Sequence, residues 1–166
     1  MMGHNQPEMM MSATIAEKLA TLGHDLPVAS VPVANYVSVV RAGTLLSISG
    51  QISRIDDGNA VLGVVGASVS TDEGRRAAEI AAINVLSQIA AATDGTIASV
   101  RRIVRLGVFV AATPDFTQHP QVANGASDLM VAVFGDAGRH SRAAVGVSSL
   151  PRGVAVEVDA LVELEG

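Results

Sequence analysis

Arg142 lies in the run SRAAVGV, and its neighbours make it a candidate for chemistry. Side chains alternate along an extended strand, so Ala143, Val145 and Val147 point one way while Arg142, Ala144 and Gly146 point the other. An arginine whose same-face neighbours are alanine and glycine has open space beside it. A guanidinium in such a space offers a planar fork of N–H donors that suits a small carboxylate ligand. The following run, VAVEVDALVEL, sorts as cleanly. Val154, Val156, Val158, Ala160, Val162 and Leu164 share one face, while Ala155, Glu157, Asp159, Leu161 and Glu163 share the other. If the two runs pair, Glu157 comes near Arg142. A plainer alternative exists, because an arginine opposite a glutamate on adjacent strands usually forms a surface ion pair worth ~0.2–1 kcal/mol. Alternation alone leaves both open.

The other reactive residue types narrow the field. The chain has no cysteine, which removes a disulfide framework, a thiol nucleophile and a thiolate metal site. His4, His24, His119 and His140 show no HxH or HExxH spacing, so no metal site is expected. His140, two residues before Arg142, rims the same face if the strand starts early, and is otherwise a loop residue. Glycines such as Gly63 and Gly66 belong to no GxxxxGK[ST] phosphate loop.

Several elements must hold these residues in place. Residues 1–11 show no periodicity and read as a loose tail. Residues 12–34 hold a short helix, with Ile15, Leu19 and Leu22 at helical spacing and Gly23 closing it, followed by the extended connector LPVASVPVA. From Asn35 the pattern turns to short strands. YVSVV and TLLSISG flank Arg41-Ala42-Gly43 as a hairpin, and Asp56-Asp57-Gly58-Asn59 marks a turn. Ser70 with Glu73 three residues on forms a capping box for a helix to about Ala92. VRRIVRLGVFVAA reads as a long strand, and a second long helix runs from His119 or Gln121 to Phe134. Two last strands, 141–147 and 154–164, follow. One α+β domain with a mixed sheet and helices on one face accommodates this order.

Composition sets the outer limits. The 166 residues suffice for one domain with a real core, built from Ala, Val, Leu and Ile because only 2% are aromatic. A hydrophobic fraction of 49% suggests that some surface is covered in an oligomer. A net charge of −5 with no Trp and one Tyr argues against a nucleic-acid partner. No apolar run approaches the roughly 18 residues of a membrane span. The N-terminal residues lack a signal peptide's cationic start and apolar stretch, which makes the cytoplasm the default location.

The segment RHSRAAVGVSSLPRGVAVEVDALVEL, with SGQI at 49–52, FVAATPDF at 109–116 and Asn124, resembles the Rid/YjgF family. This is the family of reactive-intermediate enamine/imine deaminases, formerly labelled L-PSP endoribonucleases. The resemblance covers residues 35–166 and rests on several motifs in order. It implies a chorismate-mutase-like fold assembled as a homotrimer with clefts between subunits. It further implies that Arg142 grips a substrate carboxylate and that Glu157 activates or orients water. Tyr36 on an N-terminal strand, Ser49 of the SGQ motif and Asn124 at the start of the second long helix would line the cleft. The implied reaction is hydrolysis of a short-lived 2-enamino or 2-imino acid to its 2-keto acid and ammonia, without metal or cofactor. Two departures stand out. The family's cysteine two residues beyond the arginine is Ala144 here, and the segment from Phe116 to Asn124 is longer than in the archetype. Ala144 widens the pocket and slightly favours an alternative, a non-catalytic trimeric protein that binds 2-keto acids. Ribonuclease activity, the third option, is disfavoured by the acidic charge and the lack of a positioned histidine pair.

Overall fold

Capping chemistry fixes where the helices begin. The structure is a computed structural model that describes residues 13–166, so the tail at 1–11 and His4 lie outside the described residues. In α1 (Ile15–Thr21), the Thr14 hydroxyl accepts the Glu17 N–H at 3.0 Å, and Ile15 and Leu19 are fully buried. Gly23 follows at φ +85°, a conformation that lets the chain turn away. In α2 (Thr71–Ala92), both halves of the capping box form: Ser70 Oγ accepts from Glu73 N at 3.1 Å, and Glu73 Oε2 accepts from Ser70 N at 3.2 Å. The third helix, α3 (His119–Phe134), has Pro120 in its first turn, where a fixed φ is suited, and is capped by Gly135.

The strands are β1 (Val39–Ala42), β2 (Leu45–Ile52), β3 (Arg54–Asp56), β4 (Asn59–Ala60), β5 (Val100–Ala111), β6 (Ser141–Val147) and β7 (Val156–Leu164). Five of them form one mixed sheet in the order β1-β2-β7-β5-β6, in which β5 and β6 are parallel and the other neighbours antiparallel. The short ribbon β3–β4 turns through Asp56, whose Oδ1 accepts the N–H groups of Gly58 and Asn59. The helices α2 and α3 pack on one face. There Val156, Val158, Ala160, Val162 and Leu164 of β7 are buried, while Glu157, Asp159, Leu161 and Glu163 are half-buried on the opposite, open face. Gly125 of α3 lies against the Arg75 backbone carbonyl of α2, so the helices cross where no side chain intervenes. The architecture is therefore the expected α+β sheet with two long helices on one face and a short N-terminal helix. Among the described residues no helix is long and apolar enough to cross a membrane.

Two expectations fail here, for physical reasons. Strands β6 and β7 do not pair, because β5 lies between them and takes both as partners. Phe109 is opposite Val145 on one side and Glu157 on the other. Tyr36 is not on a strand either. The chain bends over residues 33–36, and β1 starts only at Val39.

Candidate functional site

The sequence-derived residues divide into two groups. In the first, Arg142 Nη1 donates to Asn124 Oδ1 at 2.9 Å and to Ser127 Oγ at 3.1 Å. Asn124 and Ser127 are three apart on α3, hence neighbours on the helix face that looks at β6. Arg142 is half-buried and makes no ion pair among the described residues. Among the described residues both of its hydrogen bonds come from Nη1, and Nη2 and Nε have no partner. Ala144 lies on the same strand face, half-buried against the core. The space expected at Gly146, however, is taken: His119 Nε2 lies 2.6 Å from where a Cβ on Gly146 would be. His119 therefore closes the far end of the strip beside Arg142. His140 sits just before β6 and touches Ser127, which places it at the rim rather than in a free loop.

The second group surrounds a cavity of ≈ 360 Å³ lined by Tyr36, Ser49 and Glu157, with Gln51, Asn84 and Arg152. The SGQ segment is a bulge, since the β2–β7 register slips between Ile48 and Gln51. Bulges of this kind re-aim side chains. Gly50 in the bulge gives Glu157 its place: a Cβ there would lie 2.8 Å from Glu157 Cδ. Burial first, and the Asp159 carboxylate second, push the Glu157 carboxyl above its ordinary range. Arg152 occupies the left-handed region at φ 59°, an uncommon conformation for a residue with a side chain. The connector also walls this cavity, through Pro27, Val28, Ser30, Val31 and Pro32. Buried Gln88 holds it by donating from Nε2 to the Ser30 carbonyl at 2.9 Å, and Ser38 Oγ donates to the same carbonyl at 3.2 Å.

The two groups lie on opposite faces of the sheet. Val145 shares the Glu157 face through Phe109, and Arg142, an odd number of residues from Val145, points to the other. One chain thus places the Arg142 guanidinium and the Glu157 carboxyl on opposite sides of the sheet.

Sequence reasoning did not find Ser127, His119, Arg152 or the connector's part in the cavity. Ser127 had a signal, its i+3 spacing from Asn124. The others depend on contacts distant in sequence.

Comparison with known proteins gives this geometry a context. Residues 16–164 match the family model described as "YjgF/chorismate_mutase-like, putative endoribonuclease". The Trypanosoma cruzi protein TCP17 is 51% identical over 154 residues, covering 92% of this chain and 96% of the relative. The crystal structure of Atu1372 from Agrobacterium tumefaciens, a protein of unknown function, superposes with a TM-score of 0.86 at 44% identity, covering 98% of this chain and 100% of that one. Escherichia coli TdcF, solved with bound serine, shares the fold at a TM-score of 0.59 and 21% identity, over 81% of this chain and 92% of that one. With a family model matched over nearly its whole length and a relative sharing half its residues, the chain belongs to the YjgF/chorismate-mutase-like family.

Proposed function

We propose that this protein hydrolyses small 2-enamino and 2-imino acids to 2-keto acids and ammonia, in clefts formed between the subunits of a homotrimer. The observation that carries this reading is the half-buried Arg142, which has neutral partners on one nitrogen and no acidic partner among the described residues. A cation left in that condition is suited to take its counter-charge from a ligand carboxylate. Glu157 supports the same reading, because a carboxyl raised by burial exchanges protons closer to neutral pH than an ordinary glutamate. Since the two residues lie on opposite faces of one sheet, a cleft between copies is the arrangement that brings them to one ligand. The serine bound to TdcF is a small amino acid held by a protein of this fold.

In the proposed reaction Arg142 of one subunit fixes the substrate carboxylate, with Asn124 holding the guanidinium. Ala144 leaves room beside it, and Tyr36 and Ser49 of the neighbouring copy line the cleft. An enamine first takes a proton at C3 and gives one up from nitrogen to water, becoming the imine. Water then adds to C2 while the Glu157 carboxylate takes its proton. Returning that proton to nitrogen gives the carbinolamine; its hydroxyl proton then passes to nitrogen, the C2–N bond breaks, and ammonia leaves as the C2 carbonyl forms. Positioning and proton transfer suffice, and no metal or cofactor enters the scheme.

A second reading, a trimeric protein that binds 2-keto acids without turnover, is favoured by one feature: Ala144 stands where the family's deaminases carry cysteine. One assay separates the two. With 2-iminobutyrate generated in situ, the deaminase reading expects 2-oxobutyrate to appear well above the buffer rate. Release at the buffer rate, with 2-oxobutyrate still bound, would leave only the binding protein.

A further inference from the structure

The hydrogen bonds around Arg142 run in a single direction. Nη1 carries two hydrogens and gives one to Asn124 and one to Ser127 Oγ. Ser127 Oγ accepts from Arg142 and keeps its own hydroxyl hydrogen to donate, and His140 Nε2 stands 2.8 Å away. The Gly138 carbonyl can only accept, so His140 Nδ1 donates to it at 2.6 Å, and in the tautomer with its hydrogen there Nε2 accepts from Ser127. Each group donates to the next, and no acid takes part.

Among the described residues, Arg142 is the one arginine whose side chain donates to two neutral side chains. Arg54, Arg75, Arg101, Arg105 and Arg139 each lie within ion-pair distance of an aspartate or glutamate. A serine inside a helix commonly bonds back to the carbonyl four residues earlier, as Ser87 does to Ile83 at 3.2 Å. Ser127 instead bridges an arginine and a histidine.

We propose that Ser127 and His140 are positioning residues for Arg142, acting by orienting its guanidinium and leaving its charge uncompensated. With Nη1 fixed by two neutral acceptors, the edge formed by Nη2 and Nε is presented to the ligand in one orientation. Such an edge fits a planar carboxylate by two parallel hydrogen bonds and discriminates against the corresponding neutral amide. The inference rests on Arg142 being the carboxylate anchor, and it assigns the selectivity of that anchor to the pair behind it.

Calorimetric titration of 2-oxobutyrate and of 2-oxobutyramide tests it. The oligomer is used as purified, in wild type and in Ser127→Ala, Ser127→Thr, His140→Ala, His140→Gln and Arg142→Ala. Ser127→Ala and His140→Ala are expected to weaken 2-oxobutyrate binding about tenfold and to narrow its margin over the amide. Melting temperature should change little. Ser127→Thr keeps the hydroxyl, and His140→Gln carries a carbonyl that reaches the place of Nε2, so both should restore binding. In the Arg142→Ala background, adding Ser127→Ala should change nothing further, because the pair acts only through the arginine. If Arg142→Ala abolishes binding while Ser127→Ala and His140→Ala bind like wild type, the positioning role is overturned and the anchor stands. If wild type fails to bind 2-oxobutyrate, or Arg142→Ala binds it equally well, the anchor reading falls and the inference falls with it.

Discussion

Replacing Arg142 by alanine is expected to weaken binding of small 2-keto acids by on the order of a hundredfold, and to remove deamination with it. The magnitude follows from losing two charge-assisted hydrogen bonds to a carboxylate, each worth about 1.5–3 kcal/mol, partly offset by water entering the space. The fold should survive. Arg142 is half-buried at one end of the helix layer, on edge strand β6, and its own partners, Asn124 and Ser127, are neutral groups that water can satisfy. Calorimetry with 2-oxobutyrate and a thermal melt on the same sample check both halves. Loss of affinity with an unchanged melting temperature identifies Arg142 as an anchor, whereas a lowered melting temperature with retained affinity would make it a structural residue.

Glu157→Gln is expected to separate activity from stability in opposite directions. Turnover should fall by roughly 10²–10⁴-fold, the usual contribution of a positioned acid–base group. Stability at neutral pH should rise. Because burial and Asp159 raise the folded carboxyl above its ordinary value, ionised Glu157 disfavours the folded state. That penalty begins as pH climbs past the ordinary glutamate range and is complete above the raised folded value. The glutamine never ionises, so its advantage in melting temperature should be largest at neutral to basic pH. It should vanish as pH falls and wild-type Glu157 takes up its proton. A melting series from acid to neutral pH, compared between the two proteins, reads the sign directly. A residue retained against its effect on stability is the pattern expected at a functional site.

Much of this was legible in the sequence wherever the signal was local. The capping box at Ser70 and Glu73 starts α2 as anticipated, since both partners lie within one turn. Alternation in 141–147 and 156–164 assigns Arg142, Ala144, Glu157 and Asp159 to their faces correctly, because a strand's period is fixed by its geometry. The order of strands is another matter. Consecutive strands are commonly neighbours, yet β6 pairs on the outer side of β5 and β7 on the inner, a choice made by contacts far apart in sequence. This misplaced Glu157 beside Arg142. Likewise, Gly146 suggested open space, and only the tertiary structure brings His119 over it. The role of the connector was hidden for the same reason: Ser30 is held against the cavity by Gln88, from the middle of α2.

The central claim is that the working site takes Arg142 from one subunit and Glu157 from another. Subunit complementation tests it most directly. Arg142→Ala and Glu157→Gln chains, each inactive alone, are co-expressed with different tags, and mixed oligomers are isolated by requiring both tags. A shared site predicts that these mixed oligomers regain deamination, because some clefts pair an intact Arg142 with an intact Glu157. Mixed oligomers as inactive as either parent, beside an active wild type, would contradict a site divided between subunits.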